Sequence, residues 1–384
     1  MNLPFPLSTF GHAAASLYTA GSGIRTWLYH QGWMEQKRLG AKVISIGNIT
    51  WGGTGKTPFT IWLAQRLSAA GLRASILTRG YGRTSADRVR FFLPGASADD
   101  ARMDGDEVQL YLRHSVNVPI GIAASRYDAG RTIEERFRVD VHLLDDGFQH
   151  LSLDRDLDIV LIDARNPWGA RWGLSRVLRE SPAALRRAHA TLITNCGLLG
   201  NGGRIETDSL REKLRTLNPD APQFLASTRI ACFVARDGQS SISPDAMKDR
   251  RALVFCGLGS PNNFLATLNA ASIPCVAQQT FHDHHRYHMD DLKNLEVLAH
   301  RNRADCLITT EKDLVNLPAA AELTIPLYWA DIRLVVEEEH QLIRWMGEKL
   351  GVGFEHLASS DFVAAQPGGQ RVADVAEFRT GQLA

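Results

Sequence analysis

The stretch ISIGNITWGGTGKTPFT, Ile44 to Thr60, constrains the fold more than any other part of this sequence. An apolar run gives way to glycines, then to Gly55-Lys56-Thr57, then to residues suited to a helix with Pro58 near its first turn. Such a unit aims backbone N–H groups and a helix N-terminus at one point, which is how a chain holds phosphate. The strict G-x-x-x-x-G-K-[ST] spacing is not met, because Thr50 stands where the first glycine belongs. The physical requirements survive: glycines at 52, 53 and 55, Lys56 beside the phosphates, and Thr57 for a magnesium ion. The alternative is an ordinary glycine-rich strand-to-helix turn; the strand before it and the helix after it favour nucleotide binding.

The segments around this unit follow one plan. AKVISIGNI (41–49) reads as a buried strand and Pro58–Ala70 as a helix closed by Gly71. RASILTRG, VHLLDDG, LDIVLIDA and ATLITN are short apolar runs ending in turn residues, separated by helical segments, one of them near 207–217. Strands alternating with helices imply an α/β fold, here a P-loop NTPase-like doubly wound parallel sheet. A second series, RALVFCG, IPCVAQQTF, ADCLITT and IPLYWAD, predicts a second, smaller α/β domain. The expected division is 1–225 for the core, 226–345 for the smaller domain and 346–384 for a loosely patterned tail. Hinges are expected near 220–230 and 325–335.

Composition narrows the partners. Basic and acidic side chains number 43 and 42, a net charge of +1, so no global field recruits nucleic acid. Five scattered cysteines without a C-x-x-C argue against disulfides and thiolate zinc sites, and fit a reducing cytosol. The N-terminus has no basic leader, and its apolar stretch, broken by Gly and Ser, is too short to span a bilayer.

A P-loop needs acidic partners for its metal, and VHLLDDGFQH supplies Asp145 and Asp146 directly after an apolar strand. No N-K-x-D guanine signature occurs, and TTEKDL (309–314) has its Lys and Asp in the wrong order. The motifs GNITWGGTGKTP, LTRGYGR, GDE, LLDDGFQH, LRE, FHDHH and LITTEKD follow one another along the chain. Together they resemble the tetraacyldisaccharide 4'-kinase family of the lipid A pathway, over roughly residues 10 to 340.

The resemblance implies ATP- and Mg2+-dependent phosphorylation of the 4'-hydroxyl of a lipid A disaccharide 1-phosphate, at the cytoplasmic face of a Gram-negative inner membrane. It implies that Gly52, Gly53, Thr54, Gly55, Lys56 and Thr57 hold the ATP phosphates. Thr57 and Asp145 look like magnesium ligands, with Asp146 adjacent and Glu180 a third acidic contributor, while Arg179 stabilises the migrating phosphoryl group. Asp106 is the base the resemblance offers and His284 its partner from the second domain. Asn48, Tyr81, Arg126 and His150 are candidates for the glycolipid substrate.

Read without the family, HDHHRYH (282–288) has four histidines and an aspartate, and a zinc site or a solvated loop are both open. A zinc hydrolase and a P-loop nucleotide switch are the rival functions. A substrate with several acyl chains requires a membrane-surface contact. Ala14, Leu17, Tyr18, Gly21, Ile24 and Leu28 form a helical apolar stripe, with Trp27, Tyr29 and Trp33 as interfacial aromatics and Arg25, Lys37 and Arg38 nearby. A helix packed on the protein's own core fits the stripe too. The stretch from Arg165 to Arg187, six arginines against one glutamate, is a further membrane candidate.

Overall fold

The computed structural model describes residues 21, 23–29, 31–80, 83, 87–96, 104–114, 118–169, 171–172, 175–176, 178–199, 203–318 and 323–351. Tyr81, the stripe positions Ala14, Leu17 and Tyr18, and the tail beyond 351 lie outside the described residues.

The first lobe is built on β1 (Lys42–Gly47), β2 (Ala74–Thr78), β3 (Val89–Phe92), β4 (Ile120–Ala123), β5 (Val141–Asp145), β6 (Leu157–Asp163) and β7 (Ala190–Thr194). All but β3 are buried almost throughout, the mark of parallel strands covered on both faces. The second lobe adds β8 (Gln223–Ala235), β9 (Ser241–Ile242), β10 (Ala252–Cys256), β11 (Cys275–Thr280), β12 (Cys306–Thr310) and β13 (Leu327–Val336). Among the described residues these thirteen strands form one sheet, ordered β11-β10-β12-β13-β8-β7-β6-β1-β5-β2-β4-β3, with β9 beside β8.

The lobes meet inside β8. Its start pairs parallel with β7 over Gln223–Leu225, and from Ala226 to Ala235 it pairs antiparallel with β13. The register shifts between Ile230 and Cys232, a bulge at the joint. The expected hinge segments are therefore the two strands of one ribbon rather than loops.

Helices α1 (Lys56–Ala69), α2 (Asp106–Arg113), α3 (Arg126–Glu134) and α4 (Gly203–Leu217) belong to the first lobe. Helices α5 (Pro261–Ala270), α6 (Met289–Arg301) and α7 (Glu311–Leu314) belong to the second, and α8 (Glu339–Leu350) follows β13. α1 begins after Gly55 at φ 88° and stops at Gly71 at φ 76°, conformations that glycine adopts without strain. Phe59 and Leu63, both fully buried, contribute on the order of 2–3 kcal/mol each. They share a core with Leu342, Ile343 and Met346 of α8. Residues 339–345, expected in the smaller domain, and 346–350, expected in the tail, form the single helix α8, whose apolar face packs on the first lobe.

Two glycines hold the turn after β5 against β1. A side chain at Gly47 would meet Phe148 Cβ at 2.4 Å, and one at Gly147 would meet Ser45 Oγ at 2.7 Å. That close approach brings the end of β5 beside the turn that follows β1.

Candidate active site

A cleft of about 1970 Å3 separates the lobes, and the glycine turn after β1 lines it from Trp51 to Pro58. Gly52 has φ 116°, and a side chain there would approach Ser260 Oγ at 2.9 Å. The turn Gly257–Ser260 that opens α5 thus abuts the glycine turn after β1. Further cross-lobe bonds join Arg165 Nη1 to the Asn262 carbonyl (2.6 Å) and Asn263 Nδ2 to Asp163 Oδ2 (2.7 Å).

Lys56 lines the cleft with its Nζ 3.3 Å from Asp146 Oδ1. Asp146 has the left-handed φ of 51° and accepts from Arg179 Nη1 at 2.6 and 2.7 Å. Burial raises its carboxyl, but Lys56 and Arg179 outweigh burial and bring it down to about 2. Asp145 beside it is buried, and its Oδ1 has no hydrogen-bond partner. Burial and the Asp146 charge push the Asp145 carboxyl up, so a cation at that oxygen would relieve both. Mg2+ needs only one or two protein carboxylates, and Thr57, Asp145 and Asp146 fit that donor set.

Several expected contributors stand elsewhere. Glu180 is 4% exposed, and both of its carboxylate oxygens are engaged, Oε2 by Arg187 Nη2 (2.6 Å) and Oε1 by Gln149 Nε2 (3.0 Å). Asn48 is fully buried and is not part of the cleft wall; its backbone carbonyl accepts from Gln149 Nε2 at 2.8 Å. Both corrections have one cause: Gln149, which does line the cleft, uses these two residues as its anchors. Among the described residues the histidines of 282–288 form no group of three or more His, Cys, Asp or Glu placed as a metal site. His285 instead bonds His282 (2.8 Å) and Asp291 (3.0 Å).

Asp106 and His284 meet across the cleft, with His284 Nδ1 2.9 Å from Asp106 Oδ2. Asp106 is 5% exposed at the first position of α2, and the imidazole is the member that lines the cleft. His284 holds φ 57°, a left-handed conformation that costs an ordinary residue about 1 kcal/mol or more. Burial raises the Asp106 carboxyl, but the His284 bond and Lys312 charge hold it below the ordinary value. The same bond raises His284.

Two cleft-lining groups escaped the sequence. Glu107 is pushed up to about 8 by burial, then by Asp145 and Asp106. Lys312 lies in TTEKDL, whose comparison with a guanine motif concealed its position beside the pair. Arg126 and His150, expected at the substrate, do line the cleft, together with Arg79 and Arg25. Burial and the charge of Arg126 press His150 down to about 3, so this imidazole stays neutral.

A lysine-bearing phosphate turn facing a carboxylate–imidazole pair across one cleft, on a mostly parallel sheet, defines a P-loop NTPase-like phosphotransferase. The family profile described as tetraacyldisaccharide-1-P 4'-kinase matches residues 7–351. A tetraacyldisaccharide 4'-kinase of Syntrophus aciditrophicus (strain SB) is 36% identical over 344 residues, covering 86% of this chain and 90% of that one. One of Syntrophobacter fumaroxidans (strain DSM 10017 / MPOB) is 38% identical over 288 residues, covering 74% of each. The crystal structure of LpxK from Aquifex aeolicus in complex with ATP superposes with a TM-score of 0.65 at 26% identity, over 90% of this chain and 99% of that one. The chain belongs to the tetraacyldisaccharide-1-P 4'-kinase family, and is a kinase acting at the 4' position of the lipid A precursor.

Proposed function

We propose that this cleft moves the γ-phosphoryl group of ATP to the 4'-hydroxyl of a tetraacyldisaccharide 1-phosphate at the cytoplasmic face of the inner membrane. The observation that carries the reading is the presence of Lys56 and the Asp106–His284 pair in one cleft, supplied by different lobes. Gly52, Gly53, Thr54, Gly55 and Thr57 cradle the phosphates, and Lys56 and Arg179 neutralise the charge that builds on transfer. A magnesium ion held by Thr57, Asp145 and Asp146 would supply further charge neutralisation. The acceptor hydroxyl is a poor nucleophile, and its proton passes to the Asp106–His284 pair. Arg126, with Arg79 and Arg25, gives one end of the cleft a cationic wall suited to the sugar phosphate, and neutral His150 offers it hydrogen bonds. Closure on both substrates bends the β8–β13 ribbon at its bulge. ATP consumption that proceeds equally well without any glycolipid would replace this reading with that of a nucleotide switch.

The membrane contact sits beside the cleft mouth. Arg25 lines the cleft; Ile24 and Trp27 on the same helical segment, and Trp33 beyond it, are 62%, 52% and 73% exposed. The Trp27 and Trp33 rings lie 5.7 Å apart. Exposed indoles grouped with isoleucine suit the headgroup level better than water. The arginine stretch is a weaker candidate, because Arg165, Arg179 and Arg187 are engaged internally. No helix among the described residues is long and apolar enough to cross a membrane. The intact protein should float with anionic liposomes, and a variant lacking residues 1–30 should stay in the dense fraction. Equal flotation of a folded truncation places the contact elsewhere.

A further inference from the structure

Lys312, on α7, touches both members of the Asp106–His284 pair. Its Nζ lies 3.0 Å from Asp283 Oδ1, 3.3 Å from His284 Nε2 and 3.6 Å from Asp106 Oδ2. An ammonium group only donates hydrogen bonds, so at this contact the imidazole Nε2 accepts. The proton of a neutral ring then sits on Nδ1, where Asp106 Oδ2 accepts it at 2.9 Å. We propose that Lys312 is a positioning residue for the proton-accepting step: before the acceptor arrives it holds His284 as the neutral Nδ1–H tautomer, squared against Asp106, and it then gives up its contact at Nε2 to the acceptor hydroxyl, whose proton that nitrogen takes. The inference rests on the reading that this pair takes the acceptor's proton.

The surroundings support a fixed cation at this point. The charged groups facing the imidazole are Asp106 from α2, Lys312 from α7 and Asp283 from its own loop. Glu107 on α2 faces Lys312 as well. Burial works against the Lys312 charge, but Asp106 and Asp283 outweigh it and keep the amine protonated. The direction of its influence follows. Asp106 raises His284 above 6.5, and the Lys312 charge works against that rise. The pair accepts a proton only while His284 is neutral, so activity is present above the His284 pKa and lost as pH falls through it. Removing the cation leaves the Asp106 effect unopposed and moves this acid limb upward.

A lysine that merely tied the 281–285 loop to α7 would affect stability and leave the limb where it is. The test measures two pH profiles in the full chain for Lys312→Met and Lys312→Arg, with Lys312→Gln as a second neutral variant should the methionine fail to fold. One profile is kcat/KM with ATP and tetraacyldisaccharide 1-phosphate. The other is the NMR titration of the His284 imidazole, assigned against His284→Gln. The neutral variants should raise the His284 midpoint by about one unit and carry the acid limb with it, while Lys312→Arg keeps both near their original positions. An unmoved midpoint overturns the assignment of Lys312. A midpoint that moves while the limb stays shows instead that the pair does not accept the proton, which removes the underlying reading and the role of Lys312 in the reaction together.

Discussion

Replacing Lys56 by alanine is expected to cut phosphoryl transfer by on the order of a hundredfold or more while the protein stays folded. The lysine stands at the N-terminus of α1, lines the cleft and is only 13% exposed, so its charge acts in a poorly screened site. There it meets phosphate charge that grows as the group migrates, a contact worth more in the transition state than in the ground state. The fold should tolerate the loss because Asp146, the carboxylate paired with Lys56, keeps two short bonds from Arg179. The Asp146 charge therefore keeps a partner, and an unpaired buried charge is the usual cause of severe destabilisation. Single-turnover rates, measured alongside circular dichroism and thermal melts, check both halves of this expectation. A folded variant with near-normal turnover would remove the assignment of the glycine turn to phosphate.

Asp106→Ala and His284→Ala are each expected to lower kcat by about a hundredfold or more, the ordinary share of a general base. The double variant should lose little beyond the worse single one. A carboxylate and an imidazole joined at 2.9 Å work on one proton, and groups that act as a unit are strongly non-additive when removed. Losses that multiply would mean that the two residues act independently, each on a different part of the reaction.

Much of the frame could be read from residues alone. The apolar runs ending in turn residues correspond to β1, β2, β5, β6, β7, β10, β12 and β13, since parallel strands buried on both faces leave an unbroken apolar signature. The glycine turn with Lys56, proposed to hold phosphate, stands out in the sequence although the strict spacing fails at Thr50, and it lines the cleft. Asp145 and Asp146 were legible because acids directly after a buried strand have few structural uses. The pairing of Asp106 with His284 was not legible this way; 178 positions separate them, and only family resemblance linked them.

The remaining differences share a physical origin. Periodicity shows that α8 has an apolar face but not which core receives it, and the helix crosses the boundary expected at 345 to pack on the first lobe. The charge of a side chain does not show which groups it pairs with in the fold. Glu180 read as a metal ligand is committed to Arg187, and three arginines read as a membrane surface are tied to Asn262, Asp146 and Glu180. Asn48 serves Gln149 through its backbone, a role any residue type could fill at the level of sequence. Lys312 went unnoticed because its meaning depends on a loop 28 positions away.

The position of the transferred phosphate tests the central claim most directly. ATP labelled at the γ-phosphoryl is mixed with tetraacyldisaccharide 1-phosphate in detergent micelles, and the product is examined by two-dimensional proton–phosphorus NMR. The account predicts a new phosphate coupled to the proton at the sugar's 4' carbon, carrying the label, with ADP formed in equal amount and only when acceptor is present. Label at any other hydroxyl, or ADP release at the same rate without acceptor, would contradict it.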